Sequence, residues 1–202
     1  MSRFTPYVAL GLAIAWRTTP GEAQQAAPEV GSPSWPAGLN EAQLDSAYEP
    51  LIYLMTPDEQ GVFSSLSVEG KRRWLQEFWA RRDPTPGTVR NEDRDRFYAA
   101  IAEVDRRFWE SGAVTNPGWR TDRGRVFIKY GAPDEIRERK SPPGTSPYEI
   151  WRYTRNRSLT FVFMDLTRFG NYQLIYSDSP GERIRPDWMD LLGPEGLKDL
   201  QR

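Results

Sequence analysis

Gly118-Trp119-Arg120-Thr121-Asp122-Arg123-Gly124-Arg125-Val126-Phe127-Ile128-Lys129-Tyr130-Gly131-Ala132-Pro133-Asp134 is the stretch on which the fold turns. Before it, apolar residues recur at three- and four-residue steps. After it, they alternate with a period of two. That change of period predicts an α+β domain, with helices first and an antiparallel sheet second. Within the stretch, Gly118 suits a turn and Thr121 suits a helix N-cap. Asp122 lies where an acidic side chain complements a helix dipole, and Gly131 followed by Pro133 is a stop signal. A short helix over 122–130 fits these signals. A strand fits the residues themselves, because Val126, Phe127, Ile128 and Tyr130 all favour extended structure.

On the N-terminal side, Asn40 and Gln43 form a cap pair ahead of Leu44, Ala47, Tyr48, Leu51 and Ile52, with Pro50 as a break. Thr56-Pro57-Asp58-Glu59 is a capping box with proline at the first helical position, which predicts a second helix. Ser67 opens a third, with Trp74, Leu75, Phe78 and Trp79 in one stripe. A fourth starts near Asn91, with Phe97, Ile101, Val104 and Phe108 on one face and Arg94, Asp95, Arg106 and Arg107 largely on the other. Between the last two lies Arg81-Arg82-Asp83-Pro84-Thr85-Pro86-Gly87-Thr88, a loop made rigid by its prolines.

On the C-terminal side, Tyr148–Tyr153, Leu159–Met164 and Tyr172–Tyr176 read as three strands joined by 155–157 and 168–171 turns, with a further short strand at 135–139. Leu159–Met164 is apolar on both faces apart from Thr160, so it should be a central strand buried on two sides. The expected fold is α+β: an N-terminal bundle of about four helices packed on a C-terminal antiparallel β-meander of three to four strands. The domain is expected to span 39–180, with 181–202 as a C-terminal tail that has room for a short helix.

The pentapeptide Gly118–Asp122, the block that follows it, and the Phe78-Trp79 pair preceding the Arg-Asp-Pro-Thr-Pro-Gly turn at 82–87 together resemble the bacterial GWxTD-domain proteins. The resemblance covers about residues 45–180. It implies an exported protein and brings no reaction with it. A short helix ending in Gly-x-Pro before a meander with Trp-x-Tyr is also similar in architecture to the small lipoprotein of the outer-membrane barrel-assembly machinery, over about 121–177.

The chain has no histidine and no cysteine, which removes thiolate nucleophiles, Ser-His-Asp triads and Cys/His zinc sites. It also removes the lipid-bearing cysteine of a diacylated lipoprotein. No cofactor or metal ligand set can be read from the residues. A formal net charge of −1 leaves no electrostatic footprint for nucleic acid. Arg3 with the free amine, the apolar run Tyr7–Trp16 and the small-residue site Gly21-Glu22-Ala23 predict a signal peptide over 1–23. A run that short does not span a bilayer, so no transmembrane segment is expected. Residues 24–38 have the Ala, Pro, Ser and Gly content of a flexible tether.

Trp119, Arg120 and Asp122 are candidates for a recognition site, with Trp119 as a stacking surface and Arg120 as a carboxylate clamp. A structural role for Gly118, Thr121, Gly131 and Pro133 as turn or cap residues stands beside it. Arg81, Arg82 and Asp83 are the other binding candidates, and Arg81 or Arg82 pairing with Asp122 would join both stretches in one polar cluster. For carboxylate chemistry the residues to weigh are Asp122, Asp134, Glu135, Glu149 and Asp165, with Glu149 and Asp165 on neighbouring strands. The reading leans toward a non-enzymatic interaction module, periplasmic or extracellular, binding an envelope protein or peptide. The alternative is a glycan-binding or carboxylate-dependent glycan-processing protein.

Overall fold

The computed structural model describes residues 35–110, 116–140, 144–155 and 158–201. The expected signal peptide at 1–23 and residues 24–34 of the expected tether lie outside them. The last four tether residues form a turn, and Trp35 is buried there, its ring 5.6 Å from that of Tyr98. The guanidinium of Arg94 lies 5.1 Å from the Trp35 ring and pairs with Asp95. Arg94, expected on the solvent face, is therefore buried, because the indole gives its flat cation a surface to cover.

Three α-helices make up the N-terminal half: α1 (Glu41–Tyr48), α2 (Val68–Ala80) and α3 (Glu92–Phe108). The Asn40/Gln43 box caps α1, Ser67 accepts the Gly70 N–H at the start of α2, and Asn91 accepts the Arg94 N–H at the start of α3. The capping box at Thr56 is also formed, yet it opens only a single 3-10 turn, Pro57–Glu59. Gly61, at φ 87°, turns the chain away after that turn, so the expected second helix stops where it starts. Leu44, Leu51, Phe63, Leu75, Phe78, Trp79, Phe97 and Tyr98 form the helical core, with Tyr48 stacked on Phe63.

The 122–130 stretch is a helix, α4 (Asp122–Tyr130), capped by Thr121 and ended by Gly131 at φ 83°. Beyond it, β1 (Glu135–Arg139), β2 (Tyr148–Tyr153), β3 (Leu159–Asp165) and β4 (Tyr172–Ser177) form an antiparallel meander in the order β1-β2-β3-β4. A register shift falls between Val162 and Phe163. One face, carrying Trp151, Tyr153, Phe161, Phe163 and Leu174, packs on Val104 and Phe108 of α3 and Val126 of α4.

The other face carries Tyr148, Ile150, Val162, Met164 and Ile175 and is covered by Leu192 and its neighbours in α5 (Trp188–Gln201). This helix bends at Gly193, at φ 69°, just before Pro194. The segment expected as a tail is therefore the third layer of the fold. A fully buried apolar side chain contributes about 1.5–3 kcal/mol, so five on one sheet face demand a cover. Its last turn is fixed by Asp199, which accepts from Arg139 at 2.6 Å and from the Tyr148 hydroxyl at 2.9 Å. These bonds hold the Asp199 carboxyl down at about 2.

Candidate functional site

Gly118–Arg120 is a 3-10 turn wedged between α3 and α4. A Cβ on Gly118 would collide with the Val104 carbonyl of α3, and a Cβ on Gly124 would collide with the Gly118 carbonyl. Only two glycines let these three backbones approach so closely. The buried Thr121 hydroxyl works in both directions, donating to the Gly118 carbonyl at 2.8 Å and accepting the Gly124 N–H at 3.0 Å. The Trp119 N–H donates to Asp105 at 3.0 Å, and its carbonyl accepts the Tyr53 hydroxyl at 2.7 Å. The Trp119 ring is half-buried and belongs to both the helical core and the sheet core.

Asp122 ties this joint to the sheet. One carboxylate oxygen accepts the Leu174 N–H at 2.8 Å and the other accepts from Arg125 at 3.1 Å. Two residues earlier along β4, the Tyr172 N–H donates to Glu110 at 3.0 Å. The two carboxylates thus occupy outward-facing donors of an edge strand, which would otherwise invite pairing with another chain.

Arg120 is the exception among the five. Its side chain is 49% exposed, its guanidinium lies 4.7 Å from the Trp119 ring centre, and it pairs at 3.1 Å with the equally exposed Glu49. Neither Asp122 nor Asp83 is its partner. The expected link from Arg81 or Arg82 to Asp122 is likewise not formed. Both arginines bind Glu59, at 2.9 and 2.7 Å, because the capping turn brings that carboxylate to the end of α2. Arg82, which also covers the Phe78 ring at 3.7 Å, is the main cause holding Glu59 at about 2. Asp83 accepts the Thr85 N–H at 2.9 Å within its own loop. The two sequence motifs are two separate clusters.

Beside Asp122 opens a cleft of about 370 Å³ lined by Asp122, Arg125, Leu174, Glu182 and Arg183. The Glu182 side chain is only 2% exposed, yet it is charged: burial pushes its carboxyl up, and Lys129 and Arg125 more than offset this and hold it below the ordinary value. Lys129 pairs with it at 2.9 Å and the Tyr130 hydroxyl lies at 3.1 Å. Arg183, exposed at the rim, has no hydrogen bond or ion pair among the described residues. Tyr53 links the cleft to Arg120. Burial raises the pKa of its hydroxyl, which also feels Arg125, Asp122 and Arg120. The sequence offered no sign of Glu182 or Arg183, which fall in the part expected to be a tail.

The carboxylates considered for catalysis each have a place in the fold. Glu149 accepts from Arg123 at 2.9 Å and from the Trp151 indole at 2.8 Å. Asp165, on the same sheet face, accepts from Thr167 and from the Gly170 N–H. Asp134 takes the Thr154 and Arg155 N–H groups, and Glu135 pairs with Arg152. Arg123 packs flat on Tyr172 at 4.0 Å and reaches Glu110 at 3.7 Å. Burial raises the pKa of Glu110 despite the Tyr172 N–H and Arg123. Among the described residues no group of three or more such side chains is arranged to hold a metal ion, and no helix is long and apolar enough to cross a membrane.

Residues 22–191 match the model of the GWxTD domain, and the chain belongs to that family. No curated protein and no solved structure matches it.

Proposed function

We propose that this protein is an exported, non-enzymatic interaction module of the bacterial cell envelope that binds a protein or peptide partner. The observation that carries the reading is the division of labour inside the signature. Four of its residues serve the joint, while Arg120 stays at the surface, ordered on Trp119 and Glu49, beside a cleft walled by Asp122. A pre-ordered arginine, with the unpaired Arg183 lining the cleft that Asp122 walls, suits a carboxylate-bearing partner. The exposed Ile52, in the same 3-10 turn as Glu49 and Tyr53, supplies apolar area. Export is supported by the N-terminal charge and apolar pattern.

A photoreactive residue placed at 183, at 52, or at the remote exposed position 195 tests the site in the native envelope. The expected result is one discrete adduct from 183 and 52 and none from 195. Equal labelling at all three would sink the assignment. Intact-mass measurement on the same fractions tests export, which predicts a species beginning near residue 24.

A further inference from the structure

Where α3 ends and β3 turns into β4, two large rings stand in solvent: Trp109 is 57% exposed and Phe169 79%. They share one rim of the molecule, because the residues that follow them are gathered by a single side chain. The Arg123 guanidinium lies 3.7 Å from the Glu110 carboxylate and 3.5 Å from the Gly170 carbonyl. The rim is basic. Arg106, Arg107 and Arg168 are exposed there, and Lys140 stands at the same end of the sheet, against Glu103 and Glu138. Arg168 also donates to the Thr145 carbonyl at 3.2 Å, which fixes the β3–β4 turn against the β1–β2 connection.

We propose that this rim is a membrane-docking edge that seats on an anionic lipid surface. Trp109 and Phe169 enter the headgroup layer, and Arg106, Arg107 and Arg168 face the lipid phosphates. The exposure of the rings selects this occupant over a peptide. A ring that lines a peptide groove is covered by the groove walls, whereas a ring 79% exposed at the tip of a hairpin has no wall beside it among the described residues. Protruding aromatics are suited to the membrane interface, and basic residues around them gain attraction to anionic headgroups. This docking edge shares no residue with the Arg120 face and does not depend on its partner.

The absence of cysteine from the chain allows a site-specific test. Phe169→Cys and, as control, Glu195→Cys are each labelled with an environment-sensitive fluorophore in the full chain. They are then mixed with vesicles of phosphatidylcholine alone or with one-third phosphatidylglycerol. The label at 169 is expected to shift to shorter wavelength only with the anionic vesicles, and that at 195 with neither. Trp109→Ala in the same labelled chain should weaken the half-saturating lipid concentration several-fold, as should Arg106→Gln with Arg168→Gln. All three positions are exposed, and the Arg168 bond to the Thr145 carbonyl lies at the surface, so unfolding midpoints should shift only slightly. A shift that ignores lipid charge, or no shift at 169, overturns the proposal. So does a Trp109→Ala protein that keeps full vesicle binding but loses its envelope adduct, since the rim would then be a protein surface.

Discussion

The two polar motifs of this chain, 81–88 and 118–124, are both rich in arginine, glycine or proline, and they are built on different physics. At 118–124 the backbone itself is the contact: glycines at 118 and 124 let α3, the 3-10 turn and α4 touch. At 81–88 side chains do the joining, through Arg81 and Arg82 on Glu59, and the turn glycine Gly87 has no atom near its missing Cβ. Contacts made by backbone tolerate no added atom, whereas contacts made by long side chains can give.

The largest effect should therefore come from the smallest change. Gly118→Ala is expected to cost about 3 kcal/mol or more, since the methyl meets helix backbone rather than a movable side chain. Gly87→Ala, with open space around it, should change stability by less than about 0.5 kcal/mol. Urea unfolding of the pair checks the contrast, and similar midpoints would break it.

Next comes Thr121→Ala, which removes a hydroxyl that both donates and accepts in a buried site. It should cost about 2 kcal/mol. Thr121→Ser keeps both bonds and should recover most of that loss.

The side-chain joint should betray itself in acid. Its carboxylate, Glu59, is lowered from 4.5 to about 2, chiefly by Arg82. A depressed folded pKa gives stability that is complete above about pH 4.5 and disappears as the pH falls toward 2. Linkage puts the contribution at no more than about 3 kcal/mol. Solvent screening reduces it, because Arg81 is half exposed. Glu59→Gln should be less stable than the parent at pH 7 and nearly equal to it at pH 2. The loss that remains between pH 4 and 2 in the variant belongs in part to Asp199, also held at about 2. A variant that kept the parent's full acid sensitivity would move the joint elsewhere.

What could be read from the sequence follows the same division. The meander was legible because short runs of strand-forming residues bounded by turns, such as Tyr148–Tyr153 and Leu159–Met164, are a local property, and so were the caps at Asn40, Ser67 and Thr121. The doubly apolar β3 announced a second buried face without saying what covers it. The cover, α5, was hidden by Gly193-Pro194, which reads as a stop and acts as a bend between two packed halves. Ion-pair partners were illegible for a further reason. Many arginines could reach many carboxylates, and only the tertiary arrangement assigns Glu59 to Arg82, Glu182 to Arg125 and Glu49 to Arg120.

Among the residues of the signature, the smallest expected effect on stability falls on the one that matters most to the proposed function. Arg120 and Glu49 are each about half exposed, and an exposed pair of this kind contributes about 0–1 kcal/mol. Its stacking over Trp119 adds about 0.5–1 kcal/mol at such exposure. Arg120→Ala should therefore shift unfolding by about 0.5–2 kcal/mol, no more than Thr121→Ala one position away. If Arg120 anchors the partner, the same protein should lose binding by about 2 kcal/mol or more, near thirtyfold. Arg120→Lys separates charge from shape: it keeps the cation and loses the flat fork that lies on the indole, so it should bind nearly as poorly as alanine. Unfolding and yield of the crosslinked adduct are measured on the same preparations. Intact binding by Arg120→Ala would remove Arg120 as the anchor and leave the signature as a structural joint.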